Sequence, residues 1–183
     1  MGCLVCGVSS VHRVRGAGAG RTTAAVTPIL ALAPDDIGGM RAPQPHGMGD
    51  PILNEVYWWD VGAVPGQPGN AAIAGHVNRP DGSSATFGNL NVLRPGDQID
   101  VVTSGGAVLT CAVTAKDTPL VYVHGGNDPT VQRIFGPSLT PNLNLLTCWG
   151  TWDGTTYNRR LVVYSTLVRF TRPGARAAGD GPG

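Results

Sequence analysis

The chain has 183 residues, thirteen Lys and Arg against twelve Asp and Glu, and a formal charge of +1. So even a balance leaves no electrostatic footprint for nucleic acid or an anionic membrane surface, and the length is that of one domain with room for a core. Charged residues make up only 14%, while 27 glycines and 15 prolines stand as punctuation between Val/Ile/Leu/Thr runs, the pattern of an all-β chain with many turns.

Residues 1–27 lack a charged segment followed by an apolar run of secretory type. No stretch of the chain reaches the ~18 apolar residues of a membrane-spanning helix. His12 to Arg21 reads as structureless, and Ile29-Leu30-Ala31-Leu32-Ala33-Pro34 as what remains of an opening strand. Asp35 to Pro51 is Gly/Pro/Met-rich loop, followed by a short strand at Glu55–Trp59. The turn cluster Pro65–Asn70 leads into an apolar strand ending in Gly75-His76. Phe87–Leu93 reads as a short helix or turn. Gln98–Thr103 and Val108–Lys116 read as a hairpin closed by Ser104–Ala107. Thr118–Val123 is expected to form another strand, and Pro129–Phe135 a helical turn within a long loop.

The chemistry concentrates near the end. Leu143-Asn144-Leu145-Leu146-Thr147-Cys148 reads as an apolar strand running into a cysteine, and Tyr157–Tyr164 as a Val/Tyr-rich strand opening on Arg159-Arg160. The Asp153-Gly154 turn between them allows the two to be neighbours, which sets a thiol close to a guanidinium and eases its ionisation. In a strand Arg159 and Arg160 face opposite ways, so only one can reach the thiol. A cysteine nucleophile also needs a base or imidazolium partner. His76 and His124 each end a short apolar strand, whereas His12 and His46 lie in poorly patterned sequence. Among the other cysteines, Cys111 alternates with Leu109 and Val113 and reads as a buried, inert thiol. Cys3 and Cys6 have the spacing of a metal or redox pair without a second ligand pair or a βαβ context.

Five blocks stand in order: Asn70-Ala71-Ala72-Ile73-Ala74-Gly75-His76, Phe87-Gly88-Asn89-Leu90, Leu93-Arg94-Pro95-Gly96-Asp97, Leu145-Leu146-Thr147-Cys148 and Arg160-Leu161-Val162-Val163. Together they resemble the ordered signatures of sortases, the cysteine transpeptidases that attach proteins to Gram-positive-type cell walls or to one another. The resemblance runs from about Trp58 to Val168 and looks nearest to the actinobacterial-type forms grouped as classes E and F. It implies an all-β fold, a closed, mainly antiparallel eight-stranded barrel with short helices and long loops. Full closure also removes exposed strand edges.

The same resemblance implies His76, Cys148 and Arg160 as the catalytic set, with Arg159 matching those members that carry an extra basic residue. Asn144 stands where the family usually has Thr. No cofactor is implied, and the carboxylate-rich loop with which some relatives bind calcium has no counterpart here. Implied partners are sorting-signal-bearing surface proteins and an amine acceptor, from a cell-wall precursor or a pilin lysine, met at the outer face of the cell membrane. The helix that normally anchors sortases there is not visible in this chain. The expected division is a poorly patterned segment 1–34, a catalytic barrel 35–172 and a disordered tail 173–183. Two other readings keep the scaffold: a cysteine peptidase using water as acceptor, and a non-catalytic barrel that only binds. Trp149 and Trp152 are open between lining a groove and packing.

Overall fold

In a computed structural model of the chain, the described residues are the backbone of 8–15 and 24–29, and residues 45–173 apart from 48, 61 and 122–126. Eight strands form: β1 Val8–Arg15, β2 Ala24–Ile29, β3 Glu55–Trp59, β4 Gly69–Gly75, β5 Gln98–Thr103, β6 Val108–Asp117, β7 Pro141–Trp152 and β8 Tyr157–Thr171. One helix, α1, covers Pro129–Phe135, and short 3-10 turns cover Pro51–Asn54 and Leu90–Val92.

The packed body is a six-stranded curled half-barrel in the order β3-β4-β7-β8-β6-β5 rather than an eight-stranded one; backbone ladders of β1 to β5 and β2 to β3 then bridge its two edges into a ring. Most pairs are antiparallel, but β2–β3 and β4–β7 run parallel. The second of these decides the geometry of the site. It lays the strand ending before His76 directly against the strand carrying Cys148.

Alternation along the strands makes two apolar layers. Inside the curl, Ala71 and Ile73 of β4 pack with Leu143 and Leu145 of β7, Leu161 and Val163 of β8, and Ile99, Val101, Leu109, Cys111 and Val113 of β5 and β6. On the opposite face of the same strands, Ala72, Leu146, Val162 and Tyr164 pack beneath Ile134 of α1. At seven residues α1 is too short to persist alone. It begins with Asp128 as a cap, whose Oδ1 accepts from the Thr130 N–H at 2.7 Å, and with Pro129 in the first turn. Its Ile134 is fully buried, a contribution of roughly 1.5–3 kcal/mol.

Several expectations are corrected. His12–Arg15 is not structureless but belongs to β1, and the opening strand is this one rather than Ile29–Pro34, of which Ile29 ends β2 and the rest lies outside the described residues. The register of β1 against β5 shifts twice, between Val8 and Ser10 and between Val11 and Arg13. Its valines, Val8, Val11 and Val14, stand three residues apart, so the chain lacks the period of two by which a strand is read. The strand expected over Thr118–Val123 is reduced to a single bridge, Leu120 with Arg159. Pro119 has no N–H to give a ladder, and Tyr122 and Val123 lie outside the described residues. Cys148 does not end its strand, because β7 continues to Trp152.

Candidate active site

The site follows from register. In β7 and β8, Asn144 pairs with Tyr164, Leu146 with Val162 and Cys148 with Arg160. Asn144, Leu146, Val162 and Tyr164 lie on the face under α1, and no register shift falls between them and Cys148 or Arg160. Cys148 and Arg160 are therefore direct cross-strand neighbours on that outer face, where side chains of opposed residues approach most closely. In the parallel ladder Ala72 pairs with Asn144 and Ala74 with Leu146. β4 ends at Gly75, one residue past the last pair, and His76 follows it at the same end of the sheet as Cys148. The three residues implied by the resemblance thus lie at one end of β4, β7 and β8. Both His76 and Cys148 are half-buried.

Local contacts hold this end in place. The Thr147 hydroxyl donates to the Gly75 carbonyl at 2.8 Å, stitching the residue before the thiol to the residue before the imidazole. Gly75 must be small: a Cβ there would stand 2.9 Å from the Phe87 ring and 3.0 Å from Val56. Phe87 closes over it by donating its N–H to the His76 carbonyl at 3.0 Å. The Tyr157 hydroxyl donates to Asn78 Oδ1 at 3.2 Å, fastening the start of β8 to the loop that follows His76.

The two arginines separate cleanly. Arg160 Nη1 donates to the carbonyls of Tyr157 and Arg159, each at 3.1 Å, which ties the guanidinium back to its own strand. Arg159 lies opposite Trp149, and its Nη1 donates to the Thr118 carbonyl at 2.8 Å, facing away from the thiol. Losing one oxyanion donor typically costs about 10²–10³ in rate. Arg160→Ala is expected to lose about that much, and Arg160→Lys to recover only part, since the charge survives without the planar fork. Arg159→Ala should stay within a few-fold of the parent. Steady-state turnover of a fluorogenic peptide with added amine measures all three; a severe loss confined to Arg159→Ala would transfer the role.

The other candidates disperse. Cys111 is buried in the inner layer, and burial pushes its thiol up to about 12, with the Asp100 charge adding to the effect. Iodoacetamide near neutral pH should therefore alkylate Cys148 and spare Cys111, and Cys111→Ala should keep activity; peptide mapping of the labelled protein checks this. His46 is exposed, whereas His12, its side chain undescribed, and His124 fall outside what can be compared. Trp149 packs against the inner layer. Trp152 is exposed and leans on Tyr157 with ring centroids 5.2 Å apart.

One carboxylate near the site was not singled out in the sequence. Asp50 accepts from the N–H groups of His46 at 2.9 Å and Ile52 at 3.1 Å. Those two backbone donors hold its carboxyl below the usual range, and the charges of His46 and His76 add to the effect. Asp50 therefore lies within electrostatic reach of His76. The local signal was Asp-Pro opening the 3-10 turn, an N-cap pattern. Among the described residues, no group of three or more His, Cys, Asp or Glu is placed to hold a metal ion, and no helix is long and apolar enough to cross a membrane.

A thiol opposed to a guanidinium, with an imidazole just past the end of the adjoining strand of an all-β fold, is an arrangement suited to acyl transfer through a thioester. The chain belongs to the sortase family: the sortase domain pattern matches residues 35–168. Its fold is similar to that of Listeria monocytogenes sortase A, with a TM-score of 0.61, 17% identity and 90% of each chain covered. It is similar as well to Streptococcus pneumoniae sortase C, with a TM-score of 0.59 and 18% identity over 90% of this chain and 72% of that one. For Corynebacterium diphtheriae sortase A the TM-score is 0.57 at 17% identity, covering 92% and 63%. No curated protein sequence matches the chain. Family membership implies cysteine transpeptidase activity on sorting signals, at the cell surface.

Proposed function

We propose that this chain is a sortase-type transpeptidase that cleaves the Thr–Gly bond of an LPxTG-like sorting signal through a thioester on Cys148. The cross-strand opposition of Cys148 and Arg160, with His76 following the strand that runs beside β7, supports the reading. The thiolate adds to the Thr carbonyl, and Arg160 with a backbone N–H stabilises the oxyanion. Protonated His76 gives its proton to the leaving amine as the C–N bond breaks. An acceptor amine then adds to the thioester, His76 takes its proton, and the thiolate departs. The proposed acceptor is an amine of a cell-wall precursor or a pilin lysine. The proposed catalytic unit is residues 35–172, with β1 and β2 completing its ring and 173–183 as an appended tail.

Mass spectrometry of the protein mixed with Leu-Pro-x-Thr-Gly and Leu-Ala-x-Thr-Gly peptides tests this. A thioester mapped to Cys148 that added amine discharges into a ligated product is the expected result. Discharge at one rate with or without amine would favour the peptidase, and absence of any adduct the binding-only barrel.

A further inference from the structure

Asn144 stands in the cysteine strand where the resemblance leads one to expect Thr, and its surroundings give it a task. It is 1% exposed. Its amide Nδ2 donates to the Ile134 carbonyl at 2.7 Å, with the Arg133 carbonyl at 3.4 Å and Asn70 Oδ1 at 3.5 Å. Asn70 Nδ2 in turn donates to the Gly136 carbonyl at 2.8 Å. Asn142 Nδ2 donates to Asn70 Oδ1 at 3.0 Å and to the Ser138 hydroxyl at 3.1 Å. The last carbonyls of a helix have no partner inside it. Here Asn144 on β7 takes up those of Arg133 and Ile134, Asn70 on β4 takes up that of Gly136 just after the helix, and Asn142 braces Asn70. A threonine hydroxyl is shorter and offers one donor where the amide offers two.

The position of this cluster matters for what lies beside it. Asn144, Leu146 and Cys148 are successive outward residues of β7, spaced about 7 Å apart. Ile134 rests on Leu146 and Val162, the outward neighbours of Cys148 and Arg160. Phe135 meets Trp59 edge-on with centroids 4.8 Å apart, and Arg133 lies 3.9 Å above the Tyr164 ring. An extended peptide bound along this face with its acyl half toward α1 would pass the helix two or more residues before Cys148, at about 3.3 Å per residue.

We propose that Asn144, with Asn70 and Asn142, is a latch that fixes α1 beside the thiol and thereby sets how the acyl half of the peptide is held, making Asn144 a positioning residue for substrate selection. The proposal rests on the transpeptidase reading. Asn144→Leu fills the volume and removes the donor. With an LPxTG-like peptide its KM is expected to rise roughly tenfold while kcat changes by less than about threefold, the signature of lost binding shared by ground and transition states. Hydrogen exchange at residues 131–136 should quicken, and iodoacetamide should alkylate Cys148 as fast as in the parent. Asn144→Thr should fall between the two proteins. If Asn144→Leu does not fold, Asn70→Ser, which cuts the bond to Gly136, is read in the same way.

An active variant whose KM matches the parent overturns the latch. So does a variant in which kcat and Cys148 alkylation fall together with unchanged KM, since the disturbance then acts on the thiol. A parent protein that cleaves no peptide overturns the transpeptidase reading and this assignment with it, a result distinct from an active enzyme indifferent to Asn144.

Discussion

Cys148→Ala is expected to abolish cleavage of a sorting-signal peptide while the fold survives. The side chain is half-buried at the open end of the outer layer rather than within either core. Removing one sulfur there leaves the ladder to Arg160 and the Thr147–Gly75 bond in place. The strand therefore keeps its register, and the thermal midpoint should move by no more than a surface substitution moves it. What disappears is the nucleophile, for which no neighbour substitutes: Cys111 is buried on the opposite face, and the burial that raises its thiol also denies it access. Turnover and circular dichroism of the same preparation decide the matter. Parent-like turnover with an intact spectrum would remove the thioester chemistry altogether.

His76→Ala carries the next largest effect. A positioned acid or base typically contributes about 10²–10⁴-fold, and here the thiolate loses its imidazolium partner as well. The loss should reach both half-reactions, because in the proposed mechanism the same imidazole protonates the leaving amine and deprotonates the incoming one. Steady-state kinetics, with His124→Ala as a parallel variant, measures this. A severe loss in His124→Ala with a nearly normal His76→Ala would transfer the role of base.

Much of this was legible in the chain. Strands such as Glu55–Trp59 and Gln98–Thr103 stand where their branched and aromatic residues place them, and Pro129–Phe135 is the helix its Asp-Pro opening announces. Where a residue's neighbours in sequence settled its environment, the reading succeeded: Cys111 is buried because Leu109 and Val113 alternate with it. The first strand was hidden because its valines stand three residues apart, a spacing that only a pairing with two register shifts accommodates. The segment after Asp117 misled because its branched residues surround Pro119, which cannot donate to a ladder.

The residue types of the site, and the fact that Arg159 and Arg160 cannot both face the thiol, were determined by the sequence, since alternation along a strand is a local property. Which arginine faces it was decided only by the pairing of β7 with β8, which opposes Arg160 to Cys148 and sends Arg159 to the Thr118 carbonyl. That the strand leading to His76, 72 positions earlier in the chain, runs beside the strand of Cys148 was likewise decided by the parallel ladder between β4 and β7. Asp50 near His76 and the asparagine latch on α1 belong to that same class. They join groups from elements far apart in sequence, and hydrogen bonds and charge act over a few ångströms of space rather than along the chain.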